Sequence, residues 1–326
     1  NLKKWMVVFC IGCVMALAGC QDKIKHEQIE KDDVQQPVMY TQDKEQEVGP
    51  VVVEIVNPQS KEIIHIVSPI ELGFETDPVL YKKNIEQLAQ QLARGTETKV
   101  GFDKRMMLDK VDDNGRIIKG SPLVILKESE LVEKIMAASA TGGTVEMPLY
   151  ITESGYYFED IPYLEDVVVA SYTTYFTASD IGRNKNIELS AKAIHNVIVG
   201  SGDTFSFNTV VGPRDEANGY QPAPEIINKK LVMGIGGGIC QTSSTLFNAV
   251  DQLPIKFVER HHHSLDVGYV PKGRDATVSY GGLDFRFQNT SDVPFLIKAT
   301  YGQDFLTVEI RTAKKYQEIL TKLPSQ

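Results

Sequence analysis

The spacing of apolar residues changes along the chain, and each change marks an element. Val51-Val-Val-Glu-Ile-Val56 and Glu62-Ile-Ile-His-Ile-Val67 are short apolar runs rich in β-branched residues, and they predict strands. From Asp77 to Arg94 the apolar residues recur at helical spacing. Leu80, Ile85, Leu88 and Leu92 share a face, and Asp77-Pro78 supplies a start signal. Asp112-Asp-Asn-Gly115 reads as a hairpin turn. Ser129 suits the N-cap of a second helix, Glu130 to Ala140, stopped by Gly142-Gly143, and Thr144 to Ile151 predicts a strand.

A second pattern begins near Val167. Val167 to Phe176 is β-rich, and Asn186 to Val199 is helical by pattern through Ile187, Leu189, Ala193, Ile194 and Val197. Gln241 to Val250 contains no Gly or Pro and sets Leu246, Ala249 and Val250 on one face. Ile255 to His263 predicts a strand running into a loop. Thr277–Tyr280, Leu283–Gln288, Phe295–Tyr301 and Phe305–Ile310, separated by turn residues, predict an antiparallel meander. The expectation is an α+β fold. A small N-terminal α/β domain over 51–160 precedes a β-rich α+β domain over 165–312, and a charged tail covers 313–326.

The first fifty residues have a different character. Lys3 and Lys4 precede an apolar stretch, Trp5 to Ala18, too short to span a membrane as a helix. It ends in Leu17-Ala18-Gly19-Cys20, which resembles the bacterial lipobox, in which the cysteine is acylated and the chain is cut just before it. Residues 1–20 are thus expected to be a lipoprotein signal peptide with Cys20 as the lipidation site. Residues 21–50 are polar and charge-rich and are expected to form a flexible linker. The protein is expected outside the cytoplasm, held on the cell membrane through lipid at Cys20.

Charge and cysteine usage narrow the chemistry. The net charge is −9 and no basic tract follows the first stretch, which argues against a nucleic-acid partner. The cysteines are Cys10, Cys13, Cys20 and Cys240. Cleavage and acylation at Cys20 would leave Cys240 as the single free thiol, with no disulfide framework. An unpaired thiol in an oxidising compartment is a liability, and its retention argues for chemistry.

Cys240 sits in Gly234-Ile-Gly-Gly-Gly-Ile-Cys240-Gln-Thr-Ser-Ser-Thr-Leu-Phe-Asn-Ala249, a glycine-rich turn running into a helix. The helix N-terminus favours a thiolate, and its free N–H groups suit a forming oxyanion. Gly237 and Gly238 allow close approach of a substrate to that turn. A thiolate nucleophile needs a base, and Arg260-His-His-His-Ser264 offers one. Continued strand alternation puts His261 and His263 on one face and turns His262 away. Asp275 in Gly273-Arg-Asp275 can orient a histidine, and Arg274 can hold a substrate carboxylate by bidentate hydrogen bonds. Gln241, Ser243 and Ser244 fall in the first helical turn, suited to capping and to substrate contact. Three other readings of the cluster are a structural cysteine, a solvated histidine loop, and a zinc site of Cys240, His261 and His263. The spacing matches none of the common short-range zinc patterns, and no metal or other cofactor is assigned.

From about Ala170 to Ile310 the chain resembles a VanW domain. The motifs carrying the resemblance are Ser171-Tyr-Thr-Thr-Tyr-Phe176, Gly202-Asp-Thr-Phe-Ser-Phe-Asn208, Val211-Gly-Pro-Arg214, the Gly234–Asn248 stretch, Glu259-Arg-His-His-His-Ser264 and Gly273-Arg-Asp-Ala-Thr-Val278. The first domain resembles the peptidoglycan-binding domain that often precedes VanW domains. The family takes its name from an accessory protein of glycopeptide-resistance clusters, and some members are linked to L,D-transpeptidation of peptidoglycan. The resemblance implies Cys240 as nucleophile on peptidoglycan stem peptides, forming 3-3 crosslinks through an acyl-enzyme. His261 and His263 match its Arg-His-x-His-Ser pattern, His262 falls at the variable position, and Asp275 matches Gly-Arg-Asp. Phe247 and Gly282 replace tyrosines frequent in the family. Two rival functions are hydrolysis of stem peptides by the same cysteine, as a peptidase or amidase, and non-catalytic binding of peptidoglycan as an accessory lipoprotein.

Overall fold

The computed structural model describes residues 49–227 and 229–321. The signal segment, Cys20 and nearly all of the linker lie outside the described residues. From Pro50 onward the chain forms one compact unit with two large apolar cores.

The first core is built on β1 (Val53–Val56), flanked by antiparallel β2 (Ile63–Val67) and parallel β6 (Gly143–Glu146). Helix α1 (Pro78–Arg94) starts as expected, with the Asp77 carboxylate accepting the Leu80 N–H at 3.0 Å. Its buried face is Tyr81, Ile85, Ala89 and Ala93, whereas Leu80 is half exposed. The small alanines let α1 pack closely, rotating the buried stripe away from the leucines. Helix α2 (Glu128–Ala138) begins at Lys127 without a side-chain cap, so Ser129 lies inside the first turn. The strand expected over Thr144–Ile151 breaks at Met147-Pro148. Its second part is β7 (Leu149–Thr152), which pairs with β5 (Leu123–Leu126) in another sheet. Proline has no N–H for the ladder, so the break falls there.

The second core lies against a six-stranded antiparallel sheet. Its order is β4 (Ile117–Ile118), β3 (Lys110–Val111), β9 (Val197–Val199), β15 (Phe295–Tyr301), β16 (Phe305–Thr312) and β8 (Val167–Tyr175). The Asp112–Gly115 turn joins β3 to β4, and this hairpin crosses from the first half of the chain to pair Lys110 with Val197. Helix α3 (Ile181–Ile194) starts earlier than its pattern suggests and stops earlier too. Asn196 takes a left-handed φ of 61°, which turns the chain into β9 and buries Val197 as a strand residue. The predicted meander divides. Strand β14 (Arg286–Asn289) leaves it to pair with β10 (Thr204–Ser206) and β13 (Ile255–Glu259), while Thr277–Tyr280 forms no strand. Helix α4 (Phe207–Val211) follows β10, and β11 (Pro222–Ile227) and β12 (Lys230–Ile235) form a separate hairpin. The residues after Ala313 are more than a tail: α6 (Gln317–Thr321) buries Leu320 fully.

Helix α5 (Ile239–Val250) packs on β8, β16 and α3, and every residue from Gln241 to Val250 is buried. The amphipathic reading expects one apolar face, but this helix also buries its polar side. Each buried polar group therefore needs a partner. Thr242 pairs with Ser190 at 2.7 Å, Thr245 with Thr174 at 2.7 Å, and Asn248 donates to Ser244 O and Arg274 O, both at 2.8 Å. The hydrogen bonds give α5 a fixed register, and the register aims its second residue, Cys240.

Candidate functional site

The turn before α5 explains its glycines. Gly238 caps the helix at φ +103°, which a side chain rarely adopts. A Cβ on Gly237 would stand 2.5 Å from Ala223 O and 2.6 Å from Pro224 O, so only glycine lets β11 pass this close. Asn186 secures the turn by donating to Gly237 O at 2.9 Å and to Gln221 O at 2.8 Å. Gly237 and Gly238 line a cavity of about 900 Å³ together with Cys240 and His263.

The Cys240 sulfur is half-buried beside the extended segment Thr277–Val278. It lies 3.5 Å from Thr277 Oγ1, and the thiol donates to Val278 O at 3.5 Å. The Val278 N–H points at the same sulfur from 3.5 Å, a donor suited to a thiolate. Burial raises the thiol's pKa, but the adjacent His263 more than offsets it, and the net shift is below the ordinary cysteine value.

Asp275 ties down the histidine. His263 Nδ1 is 2.7 Å from Asp275 Oδ2, and the His263 backbone N–H donates to the same oxygen at 2.7 Å. With Nδ1 engaged, Nε2 is the ring nitrogen left for the sulfur. Burial lowers the pKa of His263, and the charges of Cys240 and Asp275 outweigh that and raise it. The Asp275 carboxyl is penalised by burial, yet hydrogen bonds from His262 and His263 bring it down to about 2. Cys240, His263 and Asp275 thus form one connected array at the N-terminus of α5.

Several sequence-predicted residues stand elsewhere. His261 turns to Glu259, with Nε2 3.0 Å from Oε1, and does not line the cavity. His262, expected to point away, contacts Asp275 Oδ1 at 2.7 Å through Nδ1. The physical reason is that β13 ends at Glu259 after a bulge, so strand alternation no longer holds over residues 260–263. The Cys240–His261–His263 ligand set is therefore not assembled. Arg274 donates to Asn248 Oδ1 at 2.8 Å and Asp251 Oδ2 at 2.6 Å and stacks on Phe247. It clamps the end of α5 instead of facing the cavity. Ser243 and Ser244 are fully buried; both donate to Cys240 O, and Ser244 Oγ accepts the Ala276 N–H at 2.9 Å. Gln241 is buried too, donating to Thr174 Oγ1 at 2.9 Å and Tyr175 O at 3.0 Å and accepting from Arg183 at 2.6 Å. These three hold the helix that carries Cys240 and do not line the cavity.

The cavity also holds residues that sequence reasoning left without a role: Arg183, Arg214, Tyr269, Thr277 and Val278. Arg214 closes the Val211-Gly-Pro-Arg214 motif, and Thr277-Val278 closes the Gly273–Val278 motif, so the sequence signals both segments but not which of their side chains reach the cavity. Arg183 and Tyr269 carry no local signal. Burial raises Tyr269, and the nearby Cys240 charge raises it further, so it stays a neutral hydroxyl at the cavity wall.

Comparison with known proteins gives the family. The family described as VanW like protein matches residues 182–311, which include the whole array. The uncharacterized protein YoaR of Bacillus subtilis is 39% identical over 246 residues, covering 75% of this chain and 78% of that protein. The vancomycin B-type resistance protein VanW of Enterococcus faecalis is 30% identical over 139 residues, 41% of this chain and 50% of that protein. No solved structure gives a significant match. On the extent of these matches, the chain belongs to the VanW-like family.

Proposed function

We propose that this protein is a cysteine acyltransferase of the bacterial cell wall, an L,D-transpeptidase acting on peptidoglycan stem peptides. The observation that supports it most is the Cys240–His263–Asp275 array, in which a lowered thiol pKa meets a raised imidazole pKa. That is the electrostatic arrangement of an activated nucleophile. The relation to a protein named for vancomycin resistance adds a cell-wall setting.

In this reading the Cys240 thiolate attacks the carbonyl carbon joining the third stem residue to D-Ala. The C–S bond forms, and the oxyanion meets the first-turn N–H groups of α5. His263 passes its proton to the departing amine, the C–N bond breaks, and D-Ala leaves. The side-chain amine of a third residue on a neighbouring stem then attacks the thioester. His263 takes the amine's proton, the new amide forms, and thiolate is regenerated. Asp275 keeps the imidazole ring oriented and supports its positive charge. Water in place of the amine would give the hydrolytic version.

The same proposal has the protein anchored outside the cytoplasm by lipid on Cys20, supported by the Leu17-Ala18-Gly19-Cys20 pattern. Labelled fatty acid fed to expressing cells is expected on the native protein and absent from Cys20→Ala. For the chemistry, the protein is incubated with disaccharide tetrapeptide and the products weighed by mass spectrometry. Released D-Ala with 3-3 dimer supports transpeptidation, and D-Ala with tripeptide alone points to hydrolysis. Binding without any product leaves the accessory-protein reading in place, and product made by Cys240→Ala would sink the mechanism.

A further inference from the structure

The cavity beside Cys240 contains an arginine that the acyl-transfer chemistry does not use. Among the described residues, Nε, Nη1 and Nη2 of Arg214 are all buried and none has a hydrogen-bond partner. A guanidinium presents five N–H donors, and leaving them unpaired away from water is costly. The other arginine of the cavity differs: Arg183 donates to Gln241 Oε1 at 2.6 Å and is thereby tied to α5. Arg214 is held by two ring faces. Its guanidinium carbon lies 5.5 Å from the centre of Phe207 and 5.8 Å from that of Tyr280. Phe207 is fully buried, while Tyr280 is 56% exposed and forms part of the cavity wall. Ring faces stabilise the charge but satisfy no N–H group.

The position is as telling as the lack of partners. Gly236, in the turn before Cys240, packs against the Arg214 side chain, since a Cβ there would stand 3.3 Å from Arg214 Cβ. Burial depresses Arg214, and the Cys240 charge is among those that act back on it. Of the carboxylates lining the cavity, Asp180, Glu225 and Asp266, none pairs with Arg214. The fork is thus charged, oriented, next to the nucleophile and unclaimed.

We propose that Arg214 is the carboxylate-binding residue of this cavity, and that the substrate is a peptide presenting a free C-terminal carboxylate close to the bond that Cys240 attacks. A carboxylate matches the guanidinium fork bidentately, supplying the hydrogen bonds that the protein withholds. The nitrogens are sealed from solvent here, so the carboxylate reaches them by displacing the exposed ring of Tyr280, whose loop continues into Gly281-Gly282. Selection of chain ends follows, because an internal peptide bond carries no carboxylate at that place. The peptide identity rests on the acyl-transfer reading. The anion site itself does not.

The test separates the two. Full-length protein is alkylated with iodoacetate and, in parallel, with neutral iodoacetamide, and the rates are read by mass spectrometry on the peptide carrying Cys240. The ratio of the two rates cancels changes in thiol reactivity, and His263 is present throughout. The iodoacetate-to-iodoacetamide ratio is expected to fall at least about tenfold in Arg214→Met and to recover in part in Arg214→Lys, which restores charge without the fork. A ratio unchanged within about twofold in folded Arg214→Met overturns the proposal. If Arg214→Met fails to fold, Tyr280→Ala decides: uncovering the fork is expected to raise the ratio, and an unchanged or lower ratio counts against the site. Turnover of tetrapeptide with a C-terminal acid but not a C-terminal amide would extend the result to substrate. No turnover of either peptide would fault the acyl-transfer reading and leave the alkylation result standing.

Discussion

Asp275 Oδ2 receives two hydrogen bonds from one residue: the backbone N–H and the Nδ1 side of His263 both lie 2.7 Å from it. The double contact fixes the tautomer and the ring plane together, because the carboxylate holds the backbone that carries the imidazole. Orientation and electrostatics therefore come from the same group.

That coupling predicts the behaviour of Asp275→Asn. An amide can offer Nδ1 the wrong hydrogen-bonding partner, and it carries no charge to support an imidazolium. Alkylation of Cys240 at neutral pH is expected to slow by roughly tenfold or more, with the pH midpoint moved upward. Stability is also expected to fall. The Asp275 carboxyl is depressed from 3.8 to about 2, so its contribution is present above pH 3.8 and is lost as pH falls toward 2. Allowing for solvent screening at half-exposed His262, a loss on the order of 1–2 kcal/mol at pH 7 is expected from denaturant melts. Equal stability and reactivity in the variant would refute the coupling.

The thiol and the imidazole shift in opposite directions, and the signs reinforce each other. Cys240 is lowered and His263 raised, so both shifts favour the thiolate–imidazolium form over the neutral pair. The His263 contribution to stability is complete below the unfolded value of 6.5 and disappears as pH rises through its higher folded value. Iodoacetamide reactivity of native Cys240 is expected to reach its plateau below the pH of a free thiol. His263→Ala should shift that midpoint upward by a unit or more. His261→Ala should leave it in place, because His261 bonds to Glu259 and does not face the sulfur. The opposite ranking of the two variants would move the base to His261.

Gln241 supplies a contrast between support and contact. Its side chain links Arg183, Thr174 and Tyr175 O inside the core. Gln241→Leu strands those partners, and a loss of roughly 2–4 kcal/mol is expected in thermal or denaturant unfolding. At temperatures where the variant stays folded, substrate affinity should change little. A pure KM effect at native stability would restore the substrate-contact role suggested by its place in the first turn.

Gly237→Ala tests the turn. The added methyl would meet backbone carbonyls of Ala223 and Pro224, which cannot swing aside as a side chain can. The β11–β12 hairpin must shift, and the helix start moves with it. We expect a loss of about 2 kcal/mol or more, together with a slower Cys240, measured by melting and alkylation. Gly268→Ala is a control in melting for the glycine-to-alanine change itself, since its Cβ would meet nothing within 4 Å and its φ lies outside the left-handed region.

The candidate nucleophile was legible because its signals are local: a glycine turn, a helix without breakers, and a lone candidate thiol. Asp275 was legible from its motif. Which histidine serves Cys240 was not, because alternation applies only inside a strand, and β13 ends at Glu259 before any histidine is reached. Arg274 and Arg214 show the same boundary. Both sit in family motifs and carry the same charge, but one clamps α5 through Asp251 and the other lies unpaired in the cavity.

The sequence by itself determined most of the element types, the α+β class, the place of Cys240 at a helix N-terminus and the family. These follow from short-range periods, capping and motif order, which a chain carries in any conformation. Only the tertiary structure decided that α5 is buried on all sides, that residues 110–118 add a hairpin to the second sheet, and that His263 rather than His261 faces the thiol. Those outcomes depend on partners far apart in sequence, such as Ser190 for Thr242 and Thr277–Val278 for Cys240. A side chain's role there is set by which donor or acceptor the fold brings within about 3 Å, and no local pattern encodes that distance.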